Sequence, residues 1–172
     1  GFHLSKLAST VGFRVHVLDD REKFANPERF PEAVEINVDS IPGWLDKATL
    51  PPNAYAVILT RGRRYDLDAL RALVPRDLRY LGLIGSRAKI SRLYEVLREE
   101  TLPLGQLGHV YAPVGLDIGA ITPQEIAVSI LAELIAVKYG KIADFDGGKG
   151  AGVESLRWIP KDNPVVSVST DE

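Results

Sequence analysis

The stretch YLGLIGSRAK, residues 80–89, joins a short apolar run to a Gly-Ser turn and a basic helical start. Tyr80 to Ile84 has the composition of a buried strand. Ser86 to Glu100 is expected to be a helix, because Ile90, Leu93, Tyr94 and Leu97 recur at helical spacing. Ser86 is placed to be its N-cap. Two further stretches repeat the pattern: AVILTRGRRYD (56–66) and VYAPVGLDIGAITPQE (110–125). Short β-branched runs alternating with longer helical periods are the mark of βαβ units and a parallel sheet. In an open parallel sheet every strand-to-helix loop lies at the carboxyl end of its strand, where ligands bind. Three loops rich in Gly, Arg, Ser and Thr on one rim therefore predict a hollow for an anionic small molecule.

Working outward, His3 to Val11 reads as helix ending at Gly12, and Phe13 to Leu18 as a strand ending in Asp19-Asp20. Val34 to Val38 is a short strand, and Ser40 to Lys47 a weak helical turn interrupted by Pro42 and Gly43. Ala54 to Thr60 is a continuous apolar run, expected of a strand covered on both faces. A short helix runs from Asp66 or Leu67 to Leu73, and His109 to Ala112 is another strand. The longest helix opens after Ile121, with Thr122, Pro123 and Glu125 as N-cap, N1 and capping-box residues, and closes at Gly140. Its apolar residues cover most of the circumference. Ser129, Glu133 and Ala136 are read as its narrow wet stripe, with the remainder buried in the core or against a second subunit.

The expected architecture is α/β, a doubly wound and mostly parallel Rossmann-like sheet over residues 1–140, followed by an extension of unassigned role over 141–172. That extension holds the Gly-rich stretch 147–152 and one expected strand near Val165 to Val168. A dinucleotide-type sheet starts with a central strand and a Gly-rich turn before its first helix. The chain reads as beginning inside that helix. The first strand is therefore expected outside this numbering or from another chain, with the Phe13 and Ala54 strands left unpaired to one another. The lack of any methionine agrees with a processed, tagged or partial segment.

Composition narrows the chemistry. The 172 residues are enough for one domain with a substantial core. A net charge of −2 supplies no global basic field for nucleic acid or anionic membrane. No apolar stretch approaches a membrane span. The chain has no cysteine, which removes disulfides, thiolate metal sites, a thiolate nucleophile and any persulfide on this chain. A disulfide-free α/β domain without a secretion signal is expected in the cytoplasm. His3, His16 and His109 are isolated, and no metal-ligand spacing is present.

The candidate binding residues sit in the loops. Asp19 and Asp20 occupy the strand-end position where a carboxylate accepts ribose hydroxyls. Arg61, Gly62 and Arg63 combine phosphate-matching guanidinium groups with a close backbone. Gly85, Ser86 and Arg87 lead into a helix N-terminus that favours an anion. Gly115, Asp117 and Gly119 present one carboxylate from a permissive backbone. Each also has a plain structural reading, as a turn, a cap or a solvated basic loop. No nucleophile with a base stands out, so no catalytic residue is assigned.

LDDREKFANPERFP (18–31), LTRGRRYD (59–66), YLGLIGSRAK (80–89) and APVGLDIGAITPQEIAVSILAELIA (112–136) together resemble the Rossmann domain of the XdhC/CoxI family, the xanthine dehydrogenase accessory proteins. The resemblance runs in order from about residue 4 to 140. It implies a carrier of molybdenum cofactor (molybdopterin) that protects it during sulfuration by a cysteine desulfurase and helps insert it into a molybdenum hydroxylase apo-enzyme. A homodimer is also expected, with the apolar 122–139 helix shared with a second subunit. Asp19, Asp20, Arg21, Asn26 and Arg29 match one family block. Arg61, Gly62 and Asp66 match the next, where Arg61 and Arg63 stand in place of commoner histidines. Gly85, Ser86 and Arg87 match the third, and Gly115, Asp117, Gly119, Thr122 and Glu125 the last. Two other functions fit the residues: an NAD(P)-dependent oxidoreductase, from Asp19-Asp20, and a subunit-assembly module, from the apolar helix.

Overall fold

The computed structural model describes residues 1–100, Leu107 and 109–142, so the Gly-rich stretch and the expected strand near Val165 lie outside the described residues. Ten elements follow in order: α1 (Phe2–Thr10), β1 (His16–Asp19), β2 (Glu35–Val38), α2 (Ile41–Lys47), β3 (Tyr55–Ile58), α3 (Arg63–Leu73), β4 (Tyr80–Leu83), α4 (Arg87–Glu99), β5 (Val110–Tyr111) and α5 (Pro123–Lys138). Every strand pair is parallel. The strands form two sheets, β1-β2 and β3-β4-β5. As expected, β1 and β3 are not partners. Phe13 and Tyr55 meet edge to face across that break, with ring centroids 5.3 Å apart.

Helices cover both faces. Residues of α2, α3 and α4, including Leu45, Leu70, Ile90, Leu93 and Leu97, pack with Leu81 and Leu83 of β4. Leu4 and Ala8 of α1 and Ile130, Leu131 and Leu134 of α5 pack with Tyr80 on the opposite face. The alternation of side chains along β4 produces this division. All four residues of β4 are buried, whereas Tyr55, Ala56 and Val57 of β3 are half-buried. The full two-sided cover expected of the Ala54 run belongs to β4 instead, because β3 is the outer strand of its sheet.

Several boundaries differ from the sequence reading. Pro42 does not disrupt α2: it lies in the first turn, where no N–H partner is required, and the Ser40 hydroxyl accepts from Gly43 N at 3.2 Å. Helix α3 begins at Arg63, so Arg63, Arg64 and Tyr65 form its first turn instead of a loop. The capping box of α5 forms as expected between Thr122 and Glu125. The wet stripe assigned to α5 is overturned: Ser129 and Glu133 are 5% and 0% exposed, while Val128 is 49% exposed. The two polar side chains point inward because backbone groups of the neighbouring loop bind them.

Among the described residues no helix is long and apolar enough to cross a membrane.

Candidate functional site

The β3–α3 loop and the start of α4 are locked together by one buried carboxylate. Asp66, in the first turn of α3, is wholly buried. Its Oδ1 accepts from the Thr60 hydroxyl at 2.6 Å, and its Oδ2 lies 2.6 Å from Lys89 Nζ. A negative group in the first turn of α3 also suits the helix dipole. The pair fixes Thr60 and Arg61 relative to the Gly85-Ser86 turn, where the Ser86 hydroxyl caps α4 by accepting from Lys89 N at 3.2 Å.

A cavity of about 530 Å³ opens at the carboxyl ends of β1 and β3, where the two sheets part. Leu18, Asp19, Asp20 and Arg21 line one side. Leu59, Thr60, Arg61 and Tyr65 line the other, with Ile41 also contributing. Its volume falls within the range of small-molecule sites, and its lining sets the apolar Leu18, Ile41 and Leu59 against four charged side chains. Asp19 is already engaged: Arg21 donates from Nε to Oδ1 and from Nη2 to Oδ2, both at 2.8 Å. That bidentate bond, together with the two carboxylate charges, raises the pKa of the Arg21 guanidinium further. Asp20 is only 3.4 Å from Arg21 Nε and is exposed. Of the four charged side chains in the lining, Asp19 and Arg21 are bound to each other, whereas Asp20 is held only by the longer Arg21 contact and Arg61 has no carboxylate partner among the described residues.

The β5–α5 end of the rim is built differently. Gly115 has φ of +93°, and a Cβ there would lie 2.4 Å from Ser129 Oγ. Only glycine accepts both the left-handed backbone and that approach. The Ser129 hydroxyl donates to Leu116 O at 2.6 Å, and Gly115 N donates to Glu133 at 2.9 Å. The Tyr80 hydroxyl donates to the same Glu133 oxygen. Gly82 leaves space over β4 for this network, since a Cβ there would meet Val114 at 2.6 Å and the Tyr80 ring at 2.7 Å. Asp117 is exposed and lies 3.7 Å from Arg87.

Of the predicted residues, Asp19, Asp20 and Arg61 line the cavity. Gly62 is the residue before α3, and Arg63 is exposed on its first turn. Gly85, Ser86 and Arg87 adjoin the cavity's β3 side through Lys89, and Asp117 is joined to them through Arg87. Gly115 and Gly119 lie outside the cavity lining, Gly119 on an exposed turn. Thr60, Tyr65 and Lys89, and the inward roles of Ser129 and Glu133, do not stand out in the sequence. One signal was available for Glu133: it is the lone acid inside an otherwise apolar helical turn.

Residues 1–134 match the family model described as the XdhC Rossmann domain. The chain is 34% identical over 136 residues to the uncharacterized protein YqeB of Escherichia coli, covering 78% of this chain and 25% of that protein. It is 33% identical over 135 residues to a Bacillus subtilis protein described as a probable xanthine dehydrogenase subunit, covering 78% of this chain and 39% of that one. A crystal structure described as a xanthine dehydrogenase from Bacillus halodurans superposes with a TM-score of 0.72 at 37% identity, covering 81% of this chain and 41% of that chain. The chain therefore spans between a quarter and about two-fifths of the length of these proteins.

Proposed function

The chain belongs to the XdhC Rossmann-domain family, and from that premise we propose that it serves the maturation of a xanthine dehydrogenase-type molybdenum hydroxylase. In this reading it holds molybdenum cofactor in the cavity between β1 and β3 during sulfuration by a cysteine desulfurase and delivery to the apo-enzyme. It holds the cofactor without transforming it. The single observation carrying the proposal is that Asp20 and Arg61 face the same 530 Å³ volume.

The donor set suits such a ligand. A carboxylate accepts from the adjacent N–H groups of an aminopyrimidinone edge, and a guanidinium donates to phosphate oxygens. The apolar sides of Leu18, Ile41 and Leu59, with Tyr65, suit a fused ring. The metal and its dithiolene supply the redox chemistry in the client enzyme; this chain's residues bind and shield. Asp19, tied to Arg21 through both oxygens, is poorly placed to accept a ribose diol, which weighs against an NAD(P)-dependent oxidoreductase.

Retention of molybdenum cofactor by the purified chain after gel filtration tests the proposal, with NAD(H) titrated in parallel. Wild-type protein is expected to retain the cofactor, and Asp20→Asn with Arg61→Ala to lose it. Equal retention by both proteins, or binding of NAD(H) with hydride transfer, overturns it.

A further inference from the structure

The turn that follows Asp20 brings a further arginine, Arg29, to the aromatic ring on which the cavity-lining Arg21 and Arg61 also lie. Phe24 is half-buried there, and three guanidinium groups surround its ring. The Cζ of Arg21 lies 4.1 Å from the ring centroid, that of Arg61 5.1 Å and that of Arg29 5.7 Å. Arg29 is also 5.7 Å from the Phe2 ring, so it stands between two aromatic rings. The three differ in their ionic partners. Arg21 is committed to Asp19 and Asp20. Among the described residues, Arg29 and Arg61 are paired with no carboxylate, unlike Arg64, Arg71 and Arg87.

The turn itself is well anchored. Ala25 and Phe30 are buried in it. Asn26 Nδ2 donates to Glu22 O and Lys23 O at 3.1 Å each, and Asn26 Oδ1 accepts from Arg29 N at 3.1 Å. The Ser5 hydroxyl of α1 bonds Glu32 at 2.7 Å. Stacking on an aromatic ring restrains a guanidinium and leaves its N–H edge directed outward. Two unpaired guanidinium groups leaning on one ring, one of them lining the cavity, form a preorganised receiver for an anion.

We propose that Arg29 and Arg61, braced by Phe24, form a clamp for the phosphate end of the cavity ligand. The ligand class is a phosphate ester whose ring lies between β1 and β3. This rests on the reading of that cavity as a ligand site. Arg21 takes no part in the clamp, because Asp19 neutralises it. Across the cavity, Asp20 on the β1 side then reads donors while Arg61 on the β3 side, with Arg29 beyond the Phe24 ring, receives the anion.

The test is a fluorescence titration of the full chain with 7,8-dihydroneopterin and with its triphosphate, and calorimetry with inorganic pyrophosphate. The triphosphate is expected to bind more tightly than the unphosphorylated pterin. Arg29→Ala and Arg61→Ala should each weaken it by about tenfold and narrow that difference. Phe24→Leu should do the same less strongly. Arg64→Ala, which removes a neighbouring exposed charge, should leave the affinity unchanged. If Arg29→Ala behaves as Arg64→Ala does, or both pterins bind equally, the clamp is refuted while the cavity reading stands. Pyrophosphate binding that depends on Arg29, without any pterin binding, supports the clamp and refutes the pterin reading.

Discussion

The two ends of the rim use charged side chains in opposite ways. At the β5–α5 end, Glu133 and Ser129 are buried and their bonds to Gly115 N and Leu116 O hold the loop in place. Little volume remains there, since even a methyl group at Gly115 would collide with Ser129. At the β1–β3 end, Asp20 and Arg61 are exposed and line an open volume. A buried polar group must be satisfied by its own protein; an exposed one remains available to a ligand. The difference shows why loops of similar composition divide into support and site. Asp66 with Lys89 is a third case, a buried carboxylate held by a half-buried cation, and it ties the start of α3 to the start of α4.

The largest effect should come from breaking the supporting end. Glu133→Ala leaves the Tyr80 hydroxyl and the Gly115 N–H without this acceptor in a buried setting, at a cost of about 4 kcal/mol. Thermal melting should show a fall in Tm of many degrees. If the variant melts with the wild type, the contrast between the two ends fails.

Next comes the link. Lys89→Met keeps the aliphatic stem but leaves Asp66 buried without its cation, which should cost about 2 kcal/mol given that Lys89 is itself partly exposed. Denaturant unfolding measures the loss. Affinity for the proposed pterin ligand should fall with it, because Thr60 and Arg61 lose their fixed position. A stability loss with unchanged affinity would confine the pair to a folding role.

The smallest effect concerns acid. Thr122 N–H and then Ile121 N–H hold the Glu125 carboxyl below its ordinary pKa. A carboxyl depressed in the folded state stabilises above its unfolded pKa, and that contribution is lost as pH falls through the folded value. Protection of the first-turn amides of α5, taken relative to their intrinsic exchange rates, should therefore fall as the pH is lowered through the carboxylate range. Glu125→Gln should remove that pH dependence while leaving the cavity's ligand affinity at neutral pH intact. An identical acid response in both proteins would show the capping carboxylate to be unimportant.

Much of this organisation is legible in the residues alone. Thr122, Pro123 and Glu125 announce the start of α5, because a capping box is satisfied within four consecutive residues. Ser86 announces α4 in the same way. Asp19, Asp20 and Arg61 are identifiable as rim residues because a parallel strand fixes which end its following loop occupies. The start of α3 is not legible, since two arginines in a first turn oppose the helix dipole and the compensating contact of Asp66 comes from Thr60 and Lys89. The inward face of α5 is hidden too. Ser129 and Glu133 look solvated by composition, and only the arrival of the Gly115–Leu116 backbone makes them core residues.

Local order along the chain thus prescribed the alternating strands and helices, their caps and the Gly- and Arg-rich composition of the loops. Those features depend on contacts a few residues apart, which periodicity and side-chain type encode directly. Folding in three dimensions decided that Arg21 neutralises Asp19, that Arg29 and Arg61 share one aromatic brace, and that the open volume lies beside β1 instead of β5. Apart from the short Asp19–Arg21 turn, these outcomes set side chains from separate segments against one another. Whether a charge is spent on its neighbours or left for a ligand depends on those long-range distances.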